Sequence, residues 1–284
     1  MFQKYKTVIV TLLISLSLSQ LTFAKPRPQI EVTAEVQAKI DKAIPSVLRD
    51  KPAKKKKVLI YSNCGGFVHN SINVGKALFK TIGKSYPNIE FSFDDDPKNY
   101  TAENLAKYDA VMNLNATFIS KTFEEPQRKA LLDFISNGKS FIGIHAASDA
   151  GNWPEYTKMI GGNFNGHPWN AGGTWDFETK AKGHFACQCL ETTFPHKDEI
   201  YRHKDVPEGL QFLVTLDPNS TTNALLGNKK YGPYIFETTY GVSWLKNYGK
   251  GRIFYSNFGH NAETYWNPGM VEHYIRGIIF VLSN

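Results

Sequence analysis

Four histidines of this chain fall at the ends of strand-like runs or in a glycine-rich loop, not inside regular apolar stripes. His69 lies in CGGFVHNS, His145 in FIGIHAASD, His167 in GGNFNGHPW and His260 in SNFGHN. An imidazole at the end of a strand can serve as a base, an acid or a metal ligand, or it can simply pack. Together the four could form a site for a divalent ion such as Zn²⁺ or a metal-free polar pocket, and separated histidines are a weaker metal signature than a local H-E-x-x-H. Carboxylates stand close by: Asp149 closes FIGIHAASD, and Asp198 and Glu199 open DEIY. Neighbours on an extended segment face opposite ways, so Glu199 and Tyr201 can enter one pocket while Asp198 cannot join them. Trp153, Trp169, Trp175 and Trp266 flank the histidines, and flat apolar rings beside polar groups suit the faces of a sugar.

His145 occupies the turn on which several α/β enzymes carry a nucleophile, yet Gly143-Ile144-His145-Ala146-Ala147 supplies an imidazole where a thiol or hydroxyl would stand. The glycine loop Cys64-Gly65-Gly66 opens a helical stretch and so presents backbone donors, with Ser71, at a helix N-terminus. Its spacing is not G-x-G-x-x-G, which argues against a dinucleotide.

The elements that must hold these residues alternate. VLIYSN, IEFSF, DAVMNLN and SFIGIHAA read as strands, separated by helical stretches over SINVGKALFKTIGKSY, ENLAKY and EEPQRKALLDFISNG. Near-continuous apolar strands alternating with helices predict a parallel sheet covered on both faces. Ligands of such sheets bind beyond the carboxyl ends of the strands, where Asn63, Asn115 and His145 stand. From Gly161 the pattern changes, and TWDFET, HFACQCL, DEIYRH and QFLVTL predict an antiparallel excursion. GVSWLKNY and GRIFYSNFGH return as β segments, and PGMVEHYIRGIIFVLS predicts a closing helix.

Residues 1–24 combine a basic start, a serine-diluted apolar stretch and a small-residue exit, which predicts a cleavable secretory signal and no membrane anchor after its removal. Residues 25–57 predict a strap helix capped by Thr33 and then a lysine-rich linker, KPAKKKK, which lacks the aromatic interleaving of a nucleic-acid surface. The net charge of +7 over 284 residues is too mild to demand a polyanionic partner. Three cysteines cannot build a disulfide framework. Cys187 and Cys189 read as buried, inert thiols.

The motifs GFVHNSI, FIGIHAASD, GGNFNGHPW, DEIY and VSW…YGKGRIFYSNFGHNAETYWNP resemble, in combination, the trehalose-utilisation (ThuA-like) family, over residues 58–284. The resemblance implies a flavodoxin-like, class I glutamine amidotransferase-like three-layer sandwich with a parallel central sheet and an antiparallel β excursion. It implies a role in sugar metabolism, on trehalose-like or keto-oxidised glycosides, and it places His69, His145, His167, Glu199 and His260 in one pocket with Asp149 and Tyr201 at the rim. His145 replaces the amidotransferase cysteine, so glutamine hydrolysis is not expected.

The expectation is therefore an exported, periplasmic or secreted carbohydrate-processing protein, a hydrolase or lyase, whose partner is a small sugar and not a nucleic acid. His145, Glu199 and Asp149 are the expected catalytic groups. His69, His167 and His260 are the expected ligands of a divalent metal such as zinc. Trp153, Trp169, Trp175, Tyr201 and Ser71 are the expected substrate contacts. The alternative is a sugar-binding protein that keeps the pocket without turnover.

Overall fold

Alternation of side chains along the first strand, β1 (Lys56–Tyr61), sorts the interior into two layers. Val58 and Ile60 join one apolar cluster, Leu59 and Tyr61 the other, as the two-residue period of a strand requires. The computed structural model describes residues 28–46, 52, 54–224 and 239–283. The expected signal segment, residues 1–24, lies outside them, as does part of the lysine-rich linker.

After β1 the chain alternates through α2 (Ile72–Ser85), β2 (Ile89–Phe93), α3 (Ala102–Leu105), β3 (Ala110–Leu114), α4 (Glu125–Ser136), β4 (Ser140–Ile144) and α5 (Pro154–Ile160). These are preceded by α1 (Ala34–Ala43), whose N-cap Thr33 accepts from the Val36 amide as expected of a capping threonine. The antiparallel portion holds β5 (Asn163–Phe164), β6 (Thr174–Thr179), β7 (Thr193–Lys197), β8 (His203–Lys204), β9 (Gln211–Leu216) and β10 (Tyr240–Tyr248). The chain then returns to the parallel half as β11 (Gly251–Ser256) and closes with α6 (Pro268–Leu282).

One sheet runs β2-β1-β3-β4-β11-β10-β9-β6-β7. Strands from β2 to β11 pair in parallel, and those from β11 to β7 pair antiparallel. The parallel half therefore has the flavodoxin-like order 2-1-3-4-5 with β11 in fifth place, covered by helices on both faces. Helices α1, α2 and α6 supply one apolar layer, α3, α4 and α5 the other. This is a three-layer sandwich with a parallel central sheet and an antiparallel β excursion at one edge. All five residues of β3 and all five of β4 are buried, which is why both read as unbroken apolar runs. The order reverses between β1 and β3, and the crevice at that switch point is where such sheets bind ligands.

Two expected strands are not strands. HFACQCL instead holds a short 3₁₀ turn, Phe185–Cys187, capped by the His184 imidazole accepting from the Ala186 amide. Its apolar residues pack against α6 by a turn's spacing and not by a strand's. DEIYRH supplies no ladder beyond a single bridge of Ile200 to Trp169 and the start of β8, because its side chains are committed to the strand ends described below. Cys64, Cys187 and Cys189 are all free, and burial pushes the last two thiols up to about 12. Among the described residues, no helix is long and apolar enough to cross a membrane.

Candidate functional site

Four of the nominated side chains meet beyond the carboxyl ends of the parallel strands. His69 comes from the loop after β1, His145 from the turn after β4, Glu199 from the segment after β7 and His260 from the loop after β11. Each offers a ligand atom, and these four atoms lie within 4.8 Å of one another. The rings of His69 and His145 are 4.9 Å apart edge to face, and those of His69 and His260 are 5.0 Å apart.

His145 is fully buried and its backbone is left-handed, with φ 45°. Such a conformation is costly for a residue with a β-carbon and persists only where its surroundings impose it. Three contacts do so here. The His145 carbonyl accepts from the Tyr255 hydroxyl at 2.8 Å, that hydroxyl lies 2.9 Å from Ser148 Oγ, and Nδ1 of the ring is 2.7 Å from the Asn257 carbonyl oxygen. A carbonyl oxygen only accepts, so Nδ1 carries the proton and Nε2 presents its lone pair. Nε2 is buried with no hydrogen bond and lies 3.8 Å from Glu199 Oε1. Burial first, then the neighbouring His69 and His260, hold the His145 pKa well below the usual imidazole value, so the ring stays neutral.

His260 also turns a buried ring nitrogen to Glu199. Its Nδ1 lies 3.0 Å from Glu199 Oε1 but out of line for a hydrogen bond. His167, a third exposed, brings Nδ1 to 3.2 Å from the other carboxylate oxygen, Oε2. It therefore braces Glu199 and stands outside the four-atom cluster, whereas it was nominated beside His69 and His260 as a ligand.

The loop carrying His260 is pinned by Asp198, the neighbour that strand alternation keeps out of the pocket entered by Glu199 and Tyr201. Asp198 is fully buried and accepts from the amides of Gly259 (2.7 Å) and Asn261 (2.8 Å) and from the Thr264 hydroxyl (2.9 Å). Burial raises its pKa to about 6 against the lowering effect of those donors. One dipeptide thus sends Asp198 to fix the histidine loop and Glu199 to face the histidines, the opposite facing expected of extended neighbours. On the far side of that loop, Asn115, Ser71 and Tyr265 converge on the Gly259 carbonyl oxygen at 3.0, 3.1 and 3.0 Å.

Several nominated substrate contacts are corrected by this geometry. Ser71 is fully buried in the network just described and holds a loop. Trp169 has no exposed surface and donates to the Asn223 carbonyl. Trp175 donates to the carbonyls of Asp198 and Asn170. Trp153 packs in the second apolar layer against Phe123 and Tyr156, with the Arg128 guanidinium over its ring. Aromatic rings between polar residues signal a wet face only if the backbone turns them outward, and here it turns them in. Tyr201 is a buried wall and not a rim: its ring lies 4.3 Å from that of His145, and its hydroxyl 3.4 Å from His69 Nε2.

Asp149 sits at the end of the His145 turn, buried except for 7 % of its surface. Burial raises its pKa from 3.8 to about 7, with Lys121 opposing. Its charge is felt by both the Cys64 thiol and the Tyr201 phenol. Burial also raises the Cys64 pKa, which disfavours the thiolate a nucleophile needs. Asn257 was missed by sequence reasoning. Besides fixing the His145 tautomer, its side chain accepts from the Tyr201 amide at 3.0 Å and donates to the Tyr201 carbonyl at 2.8 Å. Its only sequence signal is its place one residue past β11, at the same edge as His145.

The donor set suits a divalent ion of the zinc type: three imidazoles, one carboxylate, and a Nδ1–H to backbone carbonyl contact behind His145. Four ligand atoms at bonds of about 2.0–2.2 Å from a zinc-type ion would stand about 3.4 Å apart, so separations of up to 4.8 Å would shorten by about 1 Å on binding.

The model of a family described as trehalose utilisation, ThuA, matches residues 57–281. The chain belongs to this family, which implies a role related to carbohydrate utilisation. No curated protein matches the chain. Among solved structures, a ThuA-like protein from Bacteroides uniformis ATCC 8492 superposes with a TM-score of 0.64 at 20% identity, covering 83% of this chain and 94% of that one. Another from Parabacteroides merdae ATCC 43184 gives 0.59 at 19% identity, covering 81% and 91%. At these identities the two show a shared fold.

Proposed function

With family membership as the premise, we propose that this chain is an exported carbohydrate-processing enzyme acting on a disaccharide or keto-oxidised glycoside through a divalent metal centre. The observation that carries the reading is the His145 ring, whose Nδ1 is committed to the Asn257 carbonyl while its buried Nε2 faces Glu199 without a hydrogen bond. An orphaned polar atom in a buried site costs stability unless a ligand satisfies it.

His69, His145, His260 and Glu199 would hold the ion, such as Zn²⁺, which when bound polarises a sugar oxygen or carbonyl. Residues that would hold the ion have their lone pairs committed to it, so neither His145 nor Glu199 would be the proton carrier. That role falls to Asp149, whose carboxyl, at a pKa of about 7, exchanges a proton near neutral pH. His167 bridges from solvent to Glu199 Oε2 and steadies the carboxylate.

The test is turnover of trehalose and of 3-keto-trehalose by protein recovered from the periplasm or medium, with and without chelator, alongside His145→Asn. Asparagine tolerates the left-handed backbone, so in chelator stability should fall by no more than about 2 kcal/mol relative to the parent, while turnover without chelator drops by at least about a thousandfold, as expected when a metal ligand in a catalytic site is lost. Equal turnover in chelator, or in the variant, rules out the metal role. Binding of both sugars with no product assigns the chain to the non-catalytic alternative, and protein found only in the cytoplasm ends the claim of export.

A further inference from the structure

Burial of Trp153, Trp169 and Trp175 leaves open what a sugar would rest on. Among the described residues, the large hydrophobic side chains left exposed are Phe67, at 43 %, and Val206. Phe67 stands at the site: its ring meets that of His69 edge to face at 4.9 Å, and His69 in turn meets His145 and His260. The exposed ring is thus one aromatic neighbour removed from the proposed metal ligands.

The loop that presents Phe67 is built to hold it there. The Gly65 amide donates to the Thr117 carbonyl at 2.8 Å, and the Thr117 hydroxyl donates to the Phe67 carbonyl at 2.8 Å. Gly65 and Gly66 let the loop press against the turn after β3: a β-carbon at Gly65 would stand 2.4 Å from the Phe118 carbonyl oxygen, and one at Gly66 would stand 2.6 Å from the Phe118 ring. That backbone holds the half-exposed phenylalanine ring beside a cluster of polar groups, an arrangement suited to a ligand with one apolar face.

We infer that Phe67 is the stacking platform of the substrate site, and that the substrate is a pyranoside laid with its C–H face on that ring so that a ring substituent reaches the cluster. This rests on the carbohydrate reading above and supplies the residue that orients the sugar. A sugar face carries apolar C–H groups and its edges carry hydroxyls, so an aromatic ring beside polar side chains matches both at once. His167, a third exposed and stacked on Phe164 at 6.0 Å, offers a polar edge beside Glu199.

The test measures calorimetric affinity for trehalose, maltose and methyl α-glucoside in the metal-loaded full chain and in Phe67→Ala, Phe67→Leu and Phe67→Tyr, with metal content and melting temperature read on each. The expected result is a loss of about tenfold or more in affinity for Ala and Leu, near-native affinity for Tyr, and unchanged metal content in all three. Native affinity in Phe67→Leu overturns stacking, and native affinity in Phe67→Ala removes Phe67 from the site. Loss of metal in Phe67→Ala also overturns the inference, because the ring would then be a prop for His69. Failure of every sugar to bind the unaltered protein defeats both this inference and the carbohydrate reading, whereas sugar binding without metal defeats the metal centre alone.

Discussion

Individual residues divide the work at the sheet edge between holding and reacting. His145 has its carbonyl, its Nδ1 and its left-handed backbone all accounted for by neighbours, so only Nε2 remains to act. Asp149 is the group whose ionisation stability should report. An unfolded aspartate releases its proton near pH 4, while in the folded chain burial delays release to about 7. The folded state therefore binds the extra proton between these values. The stabilisation is complete below pH 4 and is lost as pH rises through 7, by about 4 kcal/mol for a shift of about three units. Asp149→Asn should match the parent near pH 4 and be more stable at pH 8, by several degrees in calorimetry. A difference independent of pH would show that Asp149 is ionised in the folded protein. At this scale position after strands disclosed which histidines come together at the sheet edge. It could not disclose that Trp169 and Trp175 turn inward, because that depends on where the Asn223, Asp198 and Asn170 carbonyls lie.

Among the elements, the strap preceding the sheet has a part in the site that its sequence does not announce. A capping threonine and helical spacing made α1 legible. The residues before it run along the His69 loop: Gln29 Nε2 donates to the His69 carbonyl at 2.8 Å, its Oε1 accepts from the Asn73 amide at 3.2 Å, and the Ile30 amide donates to the Asn70 carbonyl at 2.9 Å. This strap lies outside the span matched by the family model. Gln29→Ala removes two contacts and leaves the ligand set intact, so metal affinity should fall by about three- to tenfold, equivalent to roughly 1 kcal/mol, with little change in melting temperature. Competition with a chelator measures it, and unchanged affinity would confine the strap to covering α2 and α6. The misread elements share one cause. HFACQCL and DEIYRH have the residue types of strands, but a 3₁₀ turn against α6 and the commitments of Asp198 and Glu199 override local pattern.

For the molecule as a whole, the parallel half was legible because buried strands and amphipathic helices alternate with few exceptions, and the flavodoxin-like order then brings the three histidine-bearing loops to one edge, where the segment after β7 adds Glu199. The convergence itself was an expectation from topology, and its chemistry depends on distances that no spacing encodes, such as 3.8 Å between His145 Nε2 and Glu199 Oε1. A site of buried imidazoles and one carboxylate should gain stability from the ion it holds, since binding to the folded state alone adds about 2.7 kcal/mol at a hundredfold excess over Kd. The most direct measurement is elemental analysis of protein purified without chelator, followed by melting of the stripped protein with and without added Zn²⁺ or Mn²⁺. The account predicts one divalent ion per chain, its loss in His145→Asn, and a higher melting temperature on its return to the parent only. A parent protein that carries no stoichiometric ion and melts unchanged with either metal would contradict it.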